Sequence, residues 1–208
     1  MKIILISDTH NRHHDLELPD GDMIIHAGDV SSTGKEPEIL DFLNWFKSLD
    51  YKYKIFIAGN HDFYFERANS EQISLIIPEN LTYLNDSGVT IEGLKIWGSP
   101  VQPEFNNWAF NREIGDDIRQ HWDLIPVDTD ILITHGPPFR ILDKTVRGHY
   151  VGCEDLLEKV MQIKPKLHIF GHVHEGYGTK EVNGIQFINA SILNERYRYT
   201  NDPVEIEY

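Results

Sequence analysis

Side chains able to do chemistry recur at one kind of place in this chain, directly after short apolar runs. Asp8-Thr9-His10 follows residues 2–6, Gly28-Asp29 follows residues 23–26, and Gly59-Asn60-His61-Asp62 follows residues 54–58. His135-Gly136 comes after residues 130–134, and Gly171-His172-Val173-His174 after residues 167–170. These runs are short, β-branched and bounded by turn residues, so they predict buried strands. In α/β sheets, ligands sit beyond the carboxyl ends of such strands. Asp8, His10, Asp29, Asn60, His135, His172 and His174 would then deliver nitrogen and oxygen donors to one edge, the makings of a metal site without thiolate. Alternate residues of an extended segment face the same way, so Asp8 can share an ion with His10, and His172 and His174 can reach the same cluster. His61 points elsewhere if Asn60 ligates through its amide oxygen, and is free to act as an acid. The glycines before Asp29, Asn60 and His172 permit tight turns or close backbone approach. So many donors oversupply one ion. Two ions about 3.5–4 Å apart that share a carboxylate use the set fully, as in phosphate-ester hydrolysis.

The elements that must position these residues read as follows. Between the second and third runs, Pro37 suits a first helical turn, and Ile39, Phe42, Leu43, Phe46 and Leu49 recur at helical spacing. A helix is expected over residues 111–122, with Ile114, Ile118 and Trp122 on one stripe. Another is expected over residues 154–163, with Leu156, Leu157, Val160 and Ile163, before Pro165. Strands alternating with helices predict a parallel or mixed sheet covered by helices. Two hairpins interrupt the alternation, over residues 90–97 turning at Glu92-Gly93 and over residues 179–189 turning at Asn183-Gly184. Val204, Ile206 and Tyr208 alternate with Glu205 and Glu207, as in a half-exposed final strand. No repeat, charge block or Ser/Gly linker marks a boundary, so residues 1–208 read as one domain containing two sheets.

The 208 residues are 40% apolar and 25% charged, the balance of a globular chain. Their 33 acidic against 19 basic residues give a formal charge of −14, which disfavours a basic face for long nucleic acid. Phosphate chemistry on such a surface needs a local source of positive charge. A pair of divalent ions would outweigh the carboxylates of Asp8 and Asp29 and supply it. The lone Cys153 forms no internal disulfide, the N-terminus reaches Asp8 too soon for a signal peptide, and no long apolar stretch suggests a membrane span. A cytoplasmic location without membrane contact is expected. Among the other histidines, His26 and His168 lie inside strands and read as satisfied core residues, His13 and His14 as a solvated loop, and His121 as the solvent side of a helix. Asn106, Asn107 and Trp108 read equally as a pocket wall or as a packed loop. Arg140, after the His135 loop, and His149 are further substrate-contact candidates, and Cys153 is expected to pack near a helix start.

The ordered blocks D-x-H at residues 8–10, G-D at 28–29, G-N-H-D at 59–62, His-Gly at 135–136 and G-H-x-H at 171–174 resemble the calcineurin-like metallophosphoesterases. Segments 94–100, 105–111 and 171–178 look like the fetal-brain-type metallophosphoesterase-domain subfamily. The resemblance implies an α/β four-layer α-β-β-α sandwich of two mixed sheets flanked by helices. It implies that Asp8, His10, Asp29 and His174 hold one metal and that Asp29, Asn60, His135 and His172 hold a second, with Asp29 bridging. His61, Asp29 and Asn60 would be catalytic, and His61 would contact phosphate and assist the leaving group, with Asp62 a candidate to orient its imidazole. The cofactors would be two divalent ions drawn from Mn, Fe, Zn, Co or Mg. Hydroxide between them would attack a small phosphodiester, cyclic nucleotides among the candidates. A phosphomonoesterase or protein phosphatase with the same core, or a weakly active regulatory binding protein, is the alternative. The expected partner is a small phosphoester, with homodimer formation left open.

Overall fold

The computed structural model describes residues 1–208, and each of the five apolar runs is a strand in it. In chain order the elements are β1 (Lys2–Ile6), β2 (Met23–His26), α1 (Glu36–Ser48), β3 (Tyr53–Ile57), α2 (Phe63–Arg67), α3 (Ser70–Ile76), β4 (Thr82–Leu84), β5 (Ser87–Ile91) and β6 (Leu94–Ser99). They continue with β7 (Gln102–Pro103), β8 (Asn111–Arg112), α4 (Asp116–Trp122), β9 (Ile131–Thr134), α5 (Glu154–Ile163), β10 (Leu167–Phe170), β11 (Gly178–Val182), β12 (Ile185–Asn189) and β13 (Val204–Glu207).

Two large mixed sheets result, ordered β13-β1-β2-β3-β4 and β11-β12-β10-β9-β6-β5. Strands inside each sheet run parallel, while β13, β11 and β5 close the edges in antiparallel pairing. Strand alternation decides what each face buries. Ile3 and Leu5 of β1 join Ile131, Ile133, Ile169 and Ile188 in the core between the sheets, while Ile4 and Ile6 turn to Ile39, Phe42 and Phe46 of α1. On the far side, Leu132, Phe170 and Phe187 pack on Trp122 of α4 and on Leu156 and Val160 of α5. The layers are helix, sheet, sheet, helix. Strands buried on both faces read as near-continuous apolar runs, and the polar residues within them, His26, Lys54, Thr134 and His168, are buried as well.

Residues 111–115 depart from the expected helix. Asn111 and Arg112 pair with Gln102 and Pro103 as β8 on β7, Ile114 is exposed, and Gly115 at φ 99° starts α4 only at Asp116. The short α2 and α3 had no counterpart in the periodicity, although α3 opens on an Asn69/Gln72 capping box. No helix is long and apolar enough to cross a membrane.

Parallel pairing places like ends together. Ile6, His26 and Phe56 are register partners at one edge of the first sheet, and Ile133 and Ile169 at the matching edge of the second. Past the strand ends the ladder continues: Asp8 N–H donates to Gly28 O, Gly171 N–H donates to His135 O, and Ser7 bridges to Ser191 across the two sheets.

Candidate metal centre

At this shared edge all seven sequence-selected donors meet. The first sheet brings Asp8 and His10 after β1, Asp29 after β2 and Asn60 after β3, while the second brings His135 after β9 and His172 and His174 after β10. The Asp29 Oδ2 atom lies 3.7 Å from His10 Nε2 and 3.4 Å from His135 Nε2. On one side of it, Asp8 Oδ1 lies 3.4 Å from His174 Nε2, and donor atoms of Asp8, His10 and His174 all lie within 4.8 Å of one another. On the other, Asn60 Oδ1 sits 2.9 Å from His135 Nε2 and 2.7 Å from His172 Nδ1. Donor atoms of Asp29 lie within 4.8 Å of those of Asp8 and His135 and of those of His10 and His61, so this carboxylate stands among imidazoles from both sheets. His10 Nε2 is buried with no hydrogen-bond partner, a costly arrangement unless a cation takes the lone pair. The donor set fits divalent ions on that observation and on its chemistry.

The surrounding backbone fixes the rings. His135 Nδ1 faces Ala27 O at 3.0 Å, His174 Nδ1 faces Asn194 O at 2.9 Å and His10 Nδ1 faces Ser31 O at 3.3 Å, so in each ring Nε2 is the atom turned inward. Asp8 accepts from the His172 amide at 3.0 Å and from Ser191 Oγ at 2.8 Å. The Asp8, His10, Asp29 and His172 backbones all have left-handed φ, 57°, 43°, 55° and 67°, so this arrangement is held against local strain by the sheets behind it. Close approach explains two glycines. A Cβ at Gly28, where φ is 101°, would lie 2.5 Å from His135 Nδ1, and one at Gly171 would overlap Asp8 Oδ2 and Ser7 Oγ.

Electrostatics follows the same geometry. Burial alone would raise the Asp8 and Asp29 carboxyls, yet the His174 and His135 imidazoles respectively hold both well below the usual range. Reciprocally, burial opposes charging of His135 and His174, and the carboxylates overcome it and push both up to about 9. Burial dominates at His10 and His172, which fall to about 4. Protons and a divalent ion compete for the same inward nitrogens.

His61 stands beside the set. Its amide donates to Asp29 Oδ1 at 2.7 Å, its ring lies edge-on to His10 at 4.7 Å, and the Trp108 ring covers it at 4.2 Å. Its Nδ1 faces Ser32 O at 2.7 Å, so the Ser32 carbonyl orients the imidazole. The expectation for Asp62 is thereby corrected. That carboxylate is turned away and accepts from Val30 N, Ser31 N, Ser31 Oγ and Gly59 N, bracing the Asp29 loop against the Asn60 loop.

Segment 106–108 reaches the centre through Trp108, while Asn106 and Asn107 are exposed turn residues at φ 52° and 53°. The Arg140 guanidinium packs near the Phe139 and Tyr150 rings, and His149 is exposed in the neighbouring loop; neither makes a hydrogen bond, ion pair or ring contact with the seven donors. Cys153 is buried at the start of α5, where its sulfur caps Leu156 N–H, as expected. His26 is satisfied by Thr9 Oγ1 and the Gly28 amide, whereas His168 uses only Nε2, with Thr134 Oγ1. His121 is a correction: its Nδ1 lies 2.6 Å from Asp86 Oδ2, and its Nε2 accepts from Arg112, so it faces a polar cluster and not solvent. His13, read as solvated, is fully buried. Residues missed from sequence are Ser191, which holds Asp8, and Tyr197, whose ring lies 4.9 Å from His10 and 5.3 Å from His174. Ser191 had a signal, because Asn189-Ala190-Ser191 is one more polar segment directly after an apolar run.

Comparison with known proteins agrees with this geometry. A family model described as calcineurin-like phosphoesterase matches residues 1–176. Metallophosphoesterase domain-containing protein 1 of Homo sapiens is 40% identical over 99% of this chain and 70% of its own length. A UPF0046 protein of Caenorhabditis elegans is 37% identical over 98% of this chain and 74% of its own length. One solved structure superposes with a TM-score of 0.64 over 90% of this chain and 89% of its own at 16% identity, a likeness of fold.

Proposed function

The chain belongs to the calcineurin-like phosphoesterases, and from that premise we propose that it hydrolyses small phosphodiesters, cyclic nucleotides among them, at a centre holding two divalent ions. The observation that carries this reading is the shared carboxylate. Asp29 Oδ2 lies 3.7 Å from His10 Nε2 and 3.4 Å from His135 Nε2, with His174 against Asp8 and His172 against Asn60. In this reading Asp8, His10, Asp29 and His174 hold one ion and Asp29, Asn60, His135 and His172 the second. Bound there, divalent ions would supply positive charge to the phosphoryl oxygens and acidify the attacking water.

The protein's own residues do the rest. Hydrogen bonds to Ala27, Asn194 and Ser31 carbonyls keep the Nε2 atoms of His135, His174 and His10 turned toward the Asp8 and Asp29 carboxylates. His61 gives its Nδ1–H to Ser32 O, so in the doubly protonated ring Nε2 is the atom that gives a proton to a departing alkoxide, leaving the neutral imidazole. The Trp108 ring shields one face of that imidazole from water. A surface with formal charge −14 disfavours long polyanions and leaves small esters as substrates.

The test is a comparison of bis(p-nitrophenyl) phosphate with p-nitrophenyl phosphate in protein reloaded separately with Mn, Fe, Zn, Co or Mg, alongside Asp29→Ala. Faster turnover of the diester, abolished by Asp29→Ala, is the expected result. A much faster monoester would transfer the reading to a phosphomonoesterase, and no turnover by metal-loaded protein would remove the enzymatic reading.

A further inference from the structure

A second convergence of donors, which shares no residue with the centre, lies between the turn His13–Asp15 and α1. His14 Nε2 lies 3.1 and 3.2 Å from the two Asp41 carboxylate oxygens, and His13 Nε2 lies 3.2 Å from Asp41 Oδ2. The three donor atoms lie within 4.8 Å of one another. Two features separate this cluster from an ordinary surface ion pair. First, His13 is fully buried against the Trp45 and Phe42 rings, and neither of its ring nitrogens makes a well-aligned hydrogen bond, so a desolvated donor atom is aimed at the carboxylate without using it well. Second, Asp41 has no lysine or arginine partner; its only ion-pair neighbours are these two imidazoles.

Zinc bound by nitrogen and oxygen at about 2.0–2.2 Å in a tetrahedron separates its ligand atoms by roughly 3.3 Å. The imidazole-to-carboxylate spacings already match that edge length. One donor is anchored in the core, while the side chains of His14 and Asp41 are 58% and 48% exposed, which leaves the outer face open to water as a fourth ligand.

We propose that His13, His14 and Asp41 form an additional, peripheral zinc site, separate from the phosphoesterase centre, that ties the loop after β1 to α1. It takes a borderline divalent ion that favours imidazole, such as zinc, over magnesium or calcium, which favour all-oxygen sites.

Chelator-stripped parent protein and the chelator-stripped His14→Ala/Asp41→Asn variant, which is altered only at two half-exposed side chains, are titrated with zinc chloride, and retained zinc is counted by native mass spectrometry. The expected result is one zinc fewer per chain in the variant, with the missing equivalent saturating at micromolar zinc in the parent. The difference between the two counts does not depend on how many ions the phosphoesterase centre holds. Cobalt(II) provides a second readout, because Trp45 lies 4.7 Å from His13. A quenching step present in the parent and absent in Trp45→Phe and in single His14→Ala supports the site. Equal zinc counts, an equivalent that does not saturate at micromolar zinc, or loss of every bound zinc together in the variant would overturn it.

Discussion

His61 is poised by three contacts of different kinds: the Ser32 carbonyl at Nδ1, the Trp108 face and the edge of His10. If it supplies the proton to the leaving oxygen, His61→Ala lowers kcat by about 10²–10⁴-fold on esters with alkoxide leaving groups. The same variant loses far less on p-nitrophenyl esters, whose leaving group departs without a proton, and retains its metal content. Parallel kinetics on the two ester types with metal analysis checks this. Ser191→Ala removes the hydroxyl donor to Asp8 and is expected to weaken metal affinity by about 10–100-fold, measured by competition with a chelating dye. At this scale the donors were legible and their supports were not. Asp8, Asp29 and the histidines announce themselves because few other roles place such residues straight after apolar runs. Ser31, Ser32 and Ser191 are common residues whose partners lie far away in sequence, and nothing local shows that Asp62 turns from His61 toward four backbone and hydroxyl donors.

The five apolar strands were read to within a residue and α5 to its ends, because a short apolar run or a helical stripe against a sheet leaves a strong pattern, while the short β4, β7 and β8 left none. Residues 111–122 misled for the same reason. Ile114 matched the stripe of Ile118 and Trp122, yet the β7–β8 pairing and the Gly115 φ captured the first part of the segment. Elements also carry their own energetics. Phe42 in α1 is fully buried and packs on Phe46 and Phe56, so Phe42→Ala is expected to cost about 3–5 kcal/mol in chemical denaturation without touching the metal centre. The loop after β10 behaves differently. Gly171→Ala forces a Cβ onto the Asp8 carboxylate and Ser7, so metal binding should fail while far-ultraviolet circular dichroism still reports both sheets.

At the scale of the whole molecule, buried histidines held neutral make stability fall with acid, most strongly His26 and His168 inside the strands. Burial pushes His26 and His168 from 6.5 down to about 3. Their folded values are depressed, so the unfolded chain binds more protons as pH falls, and the stability present above 6.5 is lost progressively toward 3. Each contributes a slope of about 1.4 kcal/mol per pH unit in that window. In His168→Gln the loss of unfolding free energy between about pH 6.5 and about pH 4.5 should shrink by roughly 2 kcal/mol relative to the parent. Urea titrations at the two pH values measure it. The meeting of the two sheets at one edge also has a kinetic meaning. The His172 amide and the Asp8 carboxylate touch across 164 positions of chain, so no fragment and no single folded sheet can assemble the donor set. Contacts of such long sequence separation form slowly, after their loop-closure entropy has been overcome. Metal capture by these donors would therefore be a late event in folding, and tight uptake would report that both halves of the molecule have docked.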